Sequence, residues 1–181
     1  MQRFNVLDEY NLWHNGFNFK VVVDQEDIAT TPWEWYDGHG KVSEWITRDK
    51  APGEWVLAVD GRSKLLYDFQ GSMKRAKEEG WNAKPYDVPG ETKNQRAYRA
   101  VVADFKRLRG WYRGDWCYTY ITVTMVDNAS GEYTDSVGMV ESDYADEEAK
   151  ELAKGLIINF YRDRRQAKID NRFKDAMENA L

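Results

Sequence analysis

Tyr118-Thr-Tyr-Ile-Thr-Val-Thr-Met-Val126 is the stretch on which the fold turns. Ile121, Val123 and Met125 fall on one side of an extended chain, and Tyr118, Tyr120, Thr122 and Thr124 on the other. Successive side chains of a strand point to opposite faces, so this alternation predicts a half-buried strand. Asp127-Asn-Ala-Ser-Gly131 follows with turn chemistry, and Glu132 to Val140 is expected to pair back as a hairpin.

Past the hairpin, Ser142 or Asp143 opens a helix. Asp146, Glu147 and Glu148 occupy its first turns, where the helix dipole favours negative charge. Ala149, Leu152, Ala153, Leu156, Ile157 and Phe160 form its buried face. The apolar phase then changes. Ile169 lies nine residues past Phe160, half a turn out of register at about 100° per residue. Ile169, Phe173, Ala176 and Met177 therefore belong to a different face. Either the helix breaks near residues 162–165, or it runs on and projects a second apolar stripe towards a partner.

On the N-terminal side of the strand, Thr92-Lys-Asn-Gln95 fits a capping box. Tyr98, Val101, Val102, Phe105 and Leu108 make the apolar stripe of the helix it opens, and Gly110 marks the expected end. Residues 81–90 are rich in proline and glycine and are expected to loop. Asp68 to Glu79 predicts another helix, capped by Asp68 and ended by Gly80. Ahead of it, Asp60-Gly61 separates two apolar runs, a hairpin signal. Phe17, Phe19, Val21 and Val23 alternate and predict a further strand. Residues 24–54 have no sustained period. The one regular element they admit is a short helix around residues 42–47. Trp33, Trp35, Trp45 and Trp55 fall in or beside this stretch.

The order of elements predicts an α+β fold: an antiparallel sheet of about four or five strands, helices packed on one side, and a helical C-terminus. One domain over residues 1–181 is expected, with an acidic, Trp-rich part at 1–54, a sheet-and-helix core at 55–160 and a helix or tail at 161–181. Composition agrees with a folded chain, since 42% of its residues are hydrophobic and 31% charged. No apolar run is long enough to span a bilayer, and the start of the chain lacks a secretory pattern. The single cysteine, Cys117, excludes an intrachain disulfide. These features point to the cytoplasm.

Chemistry is sparsely signalled. His14 and His39 stand apart; Asp37-Gly-His-Gly40 offers two ligands with nothing to complete a set. No metal and no cofactor is expected. Cys117 has no histidine beside it in sequence. Glu91-Thr-Lys93 has the look of half a metal-dependent nuclease motif, but it opens a helix where that chemistry needs a strand. Asp24, Glu26 and Asp27 follow a strand, and dispersed carboxylates that converge in space would make a metal enzyme.

The net charge of −5 is uneven: residues 1–60 hold 11 Asp and Glu against 5 Lys and Arg, and the remainder is nearly balanced. Within that remainder, Arg107-Leu-Arg-Gly-Trp-Tyr-Arg-Gly-Asp-Trp116 is the densest cation–aromatic run. Arg107, Arg109, Trp111, Tyr112, Arg113 and Trp116 are the candidate binding residues, for protein or nucleic acid. Arginine and the large aromatics dominate interface energetics, and they also grip phosphates and stack bases. Arg162, Arg164, Arg165 and Lys168 form a second basic cluster. The displaced face at Ile169, Phe173 and Met177 would suit self-association.

Asp104-Phe-Lys-Arg-Leu-Arg-Gly-Trp-Tyr-Arg-Gly-Asp-Trp-Cys-Tyr118, with the Val/Thr-rich strand, the turn after it and Gly138-Met-Val-Glu-Ser-Asp143, resembles a group of small uncharacterised proteins of tailed bacteriophages. Tyr67-Asp68-Phe69 ahead of a Lys/Arg-rich helix, and Gly80-Trp81, fit the same group. The resemblance covers roughly residues 55–155. It implies a phage accessory protein in the infected bacterial cytoplasm, binding a host or phage protein and touching host defence or DNA metabolism. It assigns no catalytic residue. The expectation is a non-enzymatic interaction protein. A single-stranded nucleic-acid module and a carboxylate-dependent metal enzyme are the alternatives.

Overall fold

In the computed structural model of the protein, residues 5–26, 31–34, 38–86, 88–126 and 133–178 are described. In chain order the strands and helices are β1 (Asn5–His14), β2 (Phe17–Gln25), β3 (Val42–Trp45), β4 (Glu54–Asp60), β5 (Ser63–Asp68), α1 (Phe69–Glu79), α2 (Lys93–Arg113), β6 (Tyr118–Met125), β7 (Thr134–Glu141) and α3 (Ala145–Glu178). The fold is α+β, and its described strand pairs are all antiparallel.

The chain forms two compact units. The first unit comprises Met1–Asp27 and Cys117–Leu181. Its sheet has the order β1-β2-β6-β7. Register follows the alternation: Phe19 faces Met125, Val21 faces Val123 and Val23 faces Ile121. These six side chains are buried together with Val140 and with Ala145, Ala149, Ala153, Leu156 and Ile157 of α3. Alanines on α3 let its axis approach the sheet, while Leu156 and Ile157 fill the volume. The β1–β2 turn is Asn15-Gly16, both at positive φ (47° and 86°), as a tight two-residue hairpin requires. On β7, Met139 also has positive φ (61°), and its N–H is held by the Glu26 carboxylate. A side chain at Gly138 would press on that carboxylate and on the Tyr120 ring.

The second unit is Ile28–Trp116. Its sheet has the order β3-β5-β4. Leu57 and Tyr67 from the sheet, Ala76 from α1, and Ala97, Val101, Phe105 and Leu108 from α2 make its core. Trp55 stacks on Phe69 at 4.0 Å and meets the Phe105 ring edge-on at 5.0 Å. Asp68 caps α1 through Gly71 N–H, and Gly80 closes it in the left-handed conformation. Thr92 and Gln95 form the reciprocal capping box of α2.

Two expectations need correction. Residues 42–45 are a strand, not a helix: Val42 pairs with Tyr67 and Trp45 with Lys64, so the free edge of β5 decides their conformation. α2 runs through Gly110 to Arg113. Gly114, at φ 77°, takes the cap and donates to Gly110 and Trp111. Gly110 is instead a point of close approach, with the Trp116 ring 3.4 Å from where a Cβ would lie. Of the two alternatives left open for α3, the structure contains the continuous helix, 34 residues long with no break at residues 162–165. The proposed turn at residues 127–131, Trp35 and Asp37 lie outside the described residues.

Candidate functional site

Because residues 107–113 belong to a helix, each step turns the side chain by about 100°, and residues two apart face away from one another. The dense cation–aromatic run is thereby divided among three surroundings.

Arg107 and Trp116 turn to each other. The Arg107 guanidinium lies 4.1 Å from the Trp116 ring centroid, and the indole Nε1 donates to the Arg107 carbonyl at 2.8 Å. Trp116 is 4% exposed, so it is part of the packing beneath the helix end.

Arg109 and Arg113 share a second face with Lys106. At positions i, i+3 and i+7 they line a cleft of about 300 Å³ whose floor is Trp55, Val102 and Phe105. Asp115 stands at the same cleft. Lys106, Arg109 and Arg113 are exposed, and none of their side chains makes a hydrogen bond or ion pair among the described residues. Three like charges within two turns repel, and the helix C-terminal dipole offsets only part of that cost.

Trp111 and Tyr112 lie on the remaining side. Trp111 meets Trp33 edge to face at 5.4 Å. They wall a larger cleft, of about 540 Å³, with Lys41, Val42, Glu44, Asp60 and Leu65 around it.

Sequence reasoning missed the polar centre that fixes this last cleft. Asp104 sits two turns before Trp111 on α2. Its Oδ1 accepts from His39 Nδ1 at 2.5 Å; its Oδ2 accepts from Gly40 N–H and from the Tyr67 hydroxyl, each at 2.7 Å. The Arg75 guanidinium donates to the His39 carbonyl at 3.1 Å. Burial, reinforced by the Asp104 charge, pushes the Tyr67 hydroxyl well above its ordinary pKa, so it stays protonated and donates to the carboxylate. A side chain at Gly40 would collide with the Tyr67 ring and the Ser72 hydroxyl. The segment leading into Lys41 and β3 is thus pinned to α2. Nothing local in sequence signals a bond between residues 39 and 104.

The other candidates have structural partners. Glu91 binds Arg99 at 2.7 Å, which holds its carboxyl below the usual range, and Thr92 is spent in the capping box. Cys117 is half-buried, and burial pushes its thiol pKa up. Glu26 is engaged by Met139; Asp27 lies outside the described residues. His14 meets Asn15 at 3.2 Å. Among the described residues no group of three or more His, Cys, Asp or Glu is placed to hold a metal ion.

On α3, Arg164, Arg165 and Lys168 border a shallow cleft of about 320 Å³ with Tyr161. Arg164 also lies 5.4 Å from the Phe160 ring, and Arg162 is 3.4 Å from Asp163. The displaced apolar face is exposed, with Phe173 at 68% and Met177 at 71%. No described helix is long and apolar enough to cross a membrane. No protein-family model, no curated protein and no solved structure matches the chain.

Proposed function

We propose that this is a non-enzymatic binding protein, of the phage accessory kind, that engages a host or phage protein in the bacterial cytoplasm. One observation carries the reading. Lys106, Arg109 and Arg113 stand unpaired over an apolar floor of Trp55 and Phe105. Flexible cations beside an apolar floor suit the acidic rim and apolar centre of a protein interface. Effects on host defence or DNA metabolism would follow from the identity of that partner.

The test is affinity capture from bacterial lysate, with and without nuclease, using the wild type and the Lys106→Ala/Arg109→Ala/Arg113→Ala variant. The expected result is one dominant protein that survives nuclease and is lost with the variant. Equal recovery by the variant would remove the cleft from the account.

A second reading, a single-stranded nucleic-acid module, is favoured by the second cation–aromatic cleft at Tyr161, Arg164, Arg165 and Lys168. It predicts oligonucleotide affinity that falls steeply with salt. Absence of binding at low salt would end it. Self-association through Ile169, Phe173 and Met177 is a separate proposal, and sedimentation of the wild type against Phe173→Glu tests it.

A further inference from the structure

We propose that the cleft walled by Trp33, Trp111 and Tyr112 is a site for an organic ammonium group. The proposal uses none of the three unpaired cations and stands apart from the reading above. Three features of one cavity support it.

The first is its walls. Trp33 and Trp111 are half-buried and in edge-to-face contact, and Tyr112 completes an aromatic side. Aromatic faces attract cations through the ring quadrupole, tryptophan most strongly. A volume of about 540 Å³ lies within the usual range for small ligands.

The second is charge. Glu34, Glu44 and Asp60 line the cleft against Lys41 alone, so the lining is net negative. The Asp60 carboxylate makes no hydrogen bond or ion pair among the described residues. Glu44 accepts from the Ser63 hydroxyl, and Glu34 from Thr31 N–H, which leaves lone pairs on both carboxylates. Lys41 forms no ion pair with them, so the negative charge is not spent internally.

The third is an orphan. Thr31 lines the same cavity, and its hydroxyl oxygen is buried with no hydrogen-bond partner among the described residues. A buried hydroxyl is normally satisfied, and a ligand N–H or O–H that reached it through a small local shift of the lining would satisfy this one. The wall is also held in place before any ligand arrives, because Asp104 anchors Gly40 beside Lys41.

An ammonium can come from a free amine or from a lysine side chain, and two probes separate these sources. Titration calorimetry would use choline, N-acetyl-lysine methylamide, and 3,3-dimethylbutan-1-ol as the neutral isostere of choline. Binding by either cation and not by the alcohol is expected, and the stronger cation names the source. Exposed charges are then changed without touching the core. Glu44→Gln/Asp60→Asn should weaken binding about tenfold, and Lys41→Gln should strengthen it about threefold. Opposite responses to opposite charges are something a purely structural role would not produce. Binding by neither cation, equal binding by the alcohol, or indifference to all three charge changes would overturn the proposal.

Discussion

Two polar regions of α2 lie within ten residues of each other and are built on opposite terms. Asp104 is nearly buried and takes three donors from two separate places in the chain, His39-Gly40 and Tyr67. Lys106, Arg109 and Arg113 are exposed and take nothing. A buried carboxylate is tolerable only when its lone pairs are filled, so every atom around Asp104 is committed to the fold. A solvated cation carries no such demand. The first region is therefore expected to govern stability and the second to govern binding.

The sharpest way to break this division is at its edges. Trp116 lies in the cation–aromatic run yet packs as core, so Trp116→Ala should cost about 3–5 kcal/mol in urea unfolding. A change under about 1 kcal/mol would return it to the binding surface. Asp104→Ala strands the donors of His39, Gly40 and Tyr67 and should cost about 3 kcal/mol by the same measurement. Thr31→Val deletes the unsatisfied hydroxyl of the aromatic cleft and should raise stability by about 1 kcal/mol, because the deleted group was desolvated without a bond.

Smaller effects sharpen the comparison. The Glu54 carboxyl is held at about 2, against an ordinary 4.5, by the paired donors of Arg48 and then by Ala51 N–H. A folded-state value below the unfolded one means the stabilisation is whole above about pH 4.5 and is lost as pH falls towards 2. Urea midpoints at pH 5 and pH 3 should differ less in Glu54→Gln than in the wild type. At the far end, Lys106→Ala/Arg109→Ala/Arg113→Ala should move stability by less than about 0.5 kcal/mol, since exposed unpaired charges hold nothing in place.

Sequence legibility follows the range of the interaction that decides each element. The capping box at Thr92 and Gln95, the caps at Asp68 and Gly80 and the strand Tyr118–Met125 are local patterns, and the structure contains them. β1 was harder to see. It is an edge strand with a register shift between Val6 and Asp8, so its alternation is broken, and Val6, Leu7 and Trp13 are exposed. Its one strong signal, Asn15-Gly16, marks the hairpin and was available in the sequence. β3 is four residues long and exists through pairing with β5, which no local period reports. The candidate site shows the same limit. The run at residues 107–116 was conspicuous, but the helix sends its residues to different surroundings. Asp104 carries no local signal that sets it apart on its helix, and its role comes from His39 and Tyr67, which meet it across the fold.

The division between a committed polar centre and an uncommitted cation face is tested most directly by one paired capture. Wild type and the Lys106→Ala/Arg109→Ala/Arg113→Ala variant, both confirmed folded by circular dichroism, would be used as bait in nuclease-treated bacterial lysate. One dominant protein is expected with the wild type and is lost with the variant. Retention of that protein by a folded variant would contradict it and place the working surface elsewhere on the chain.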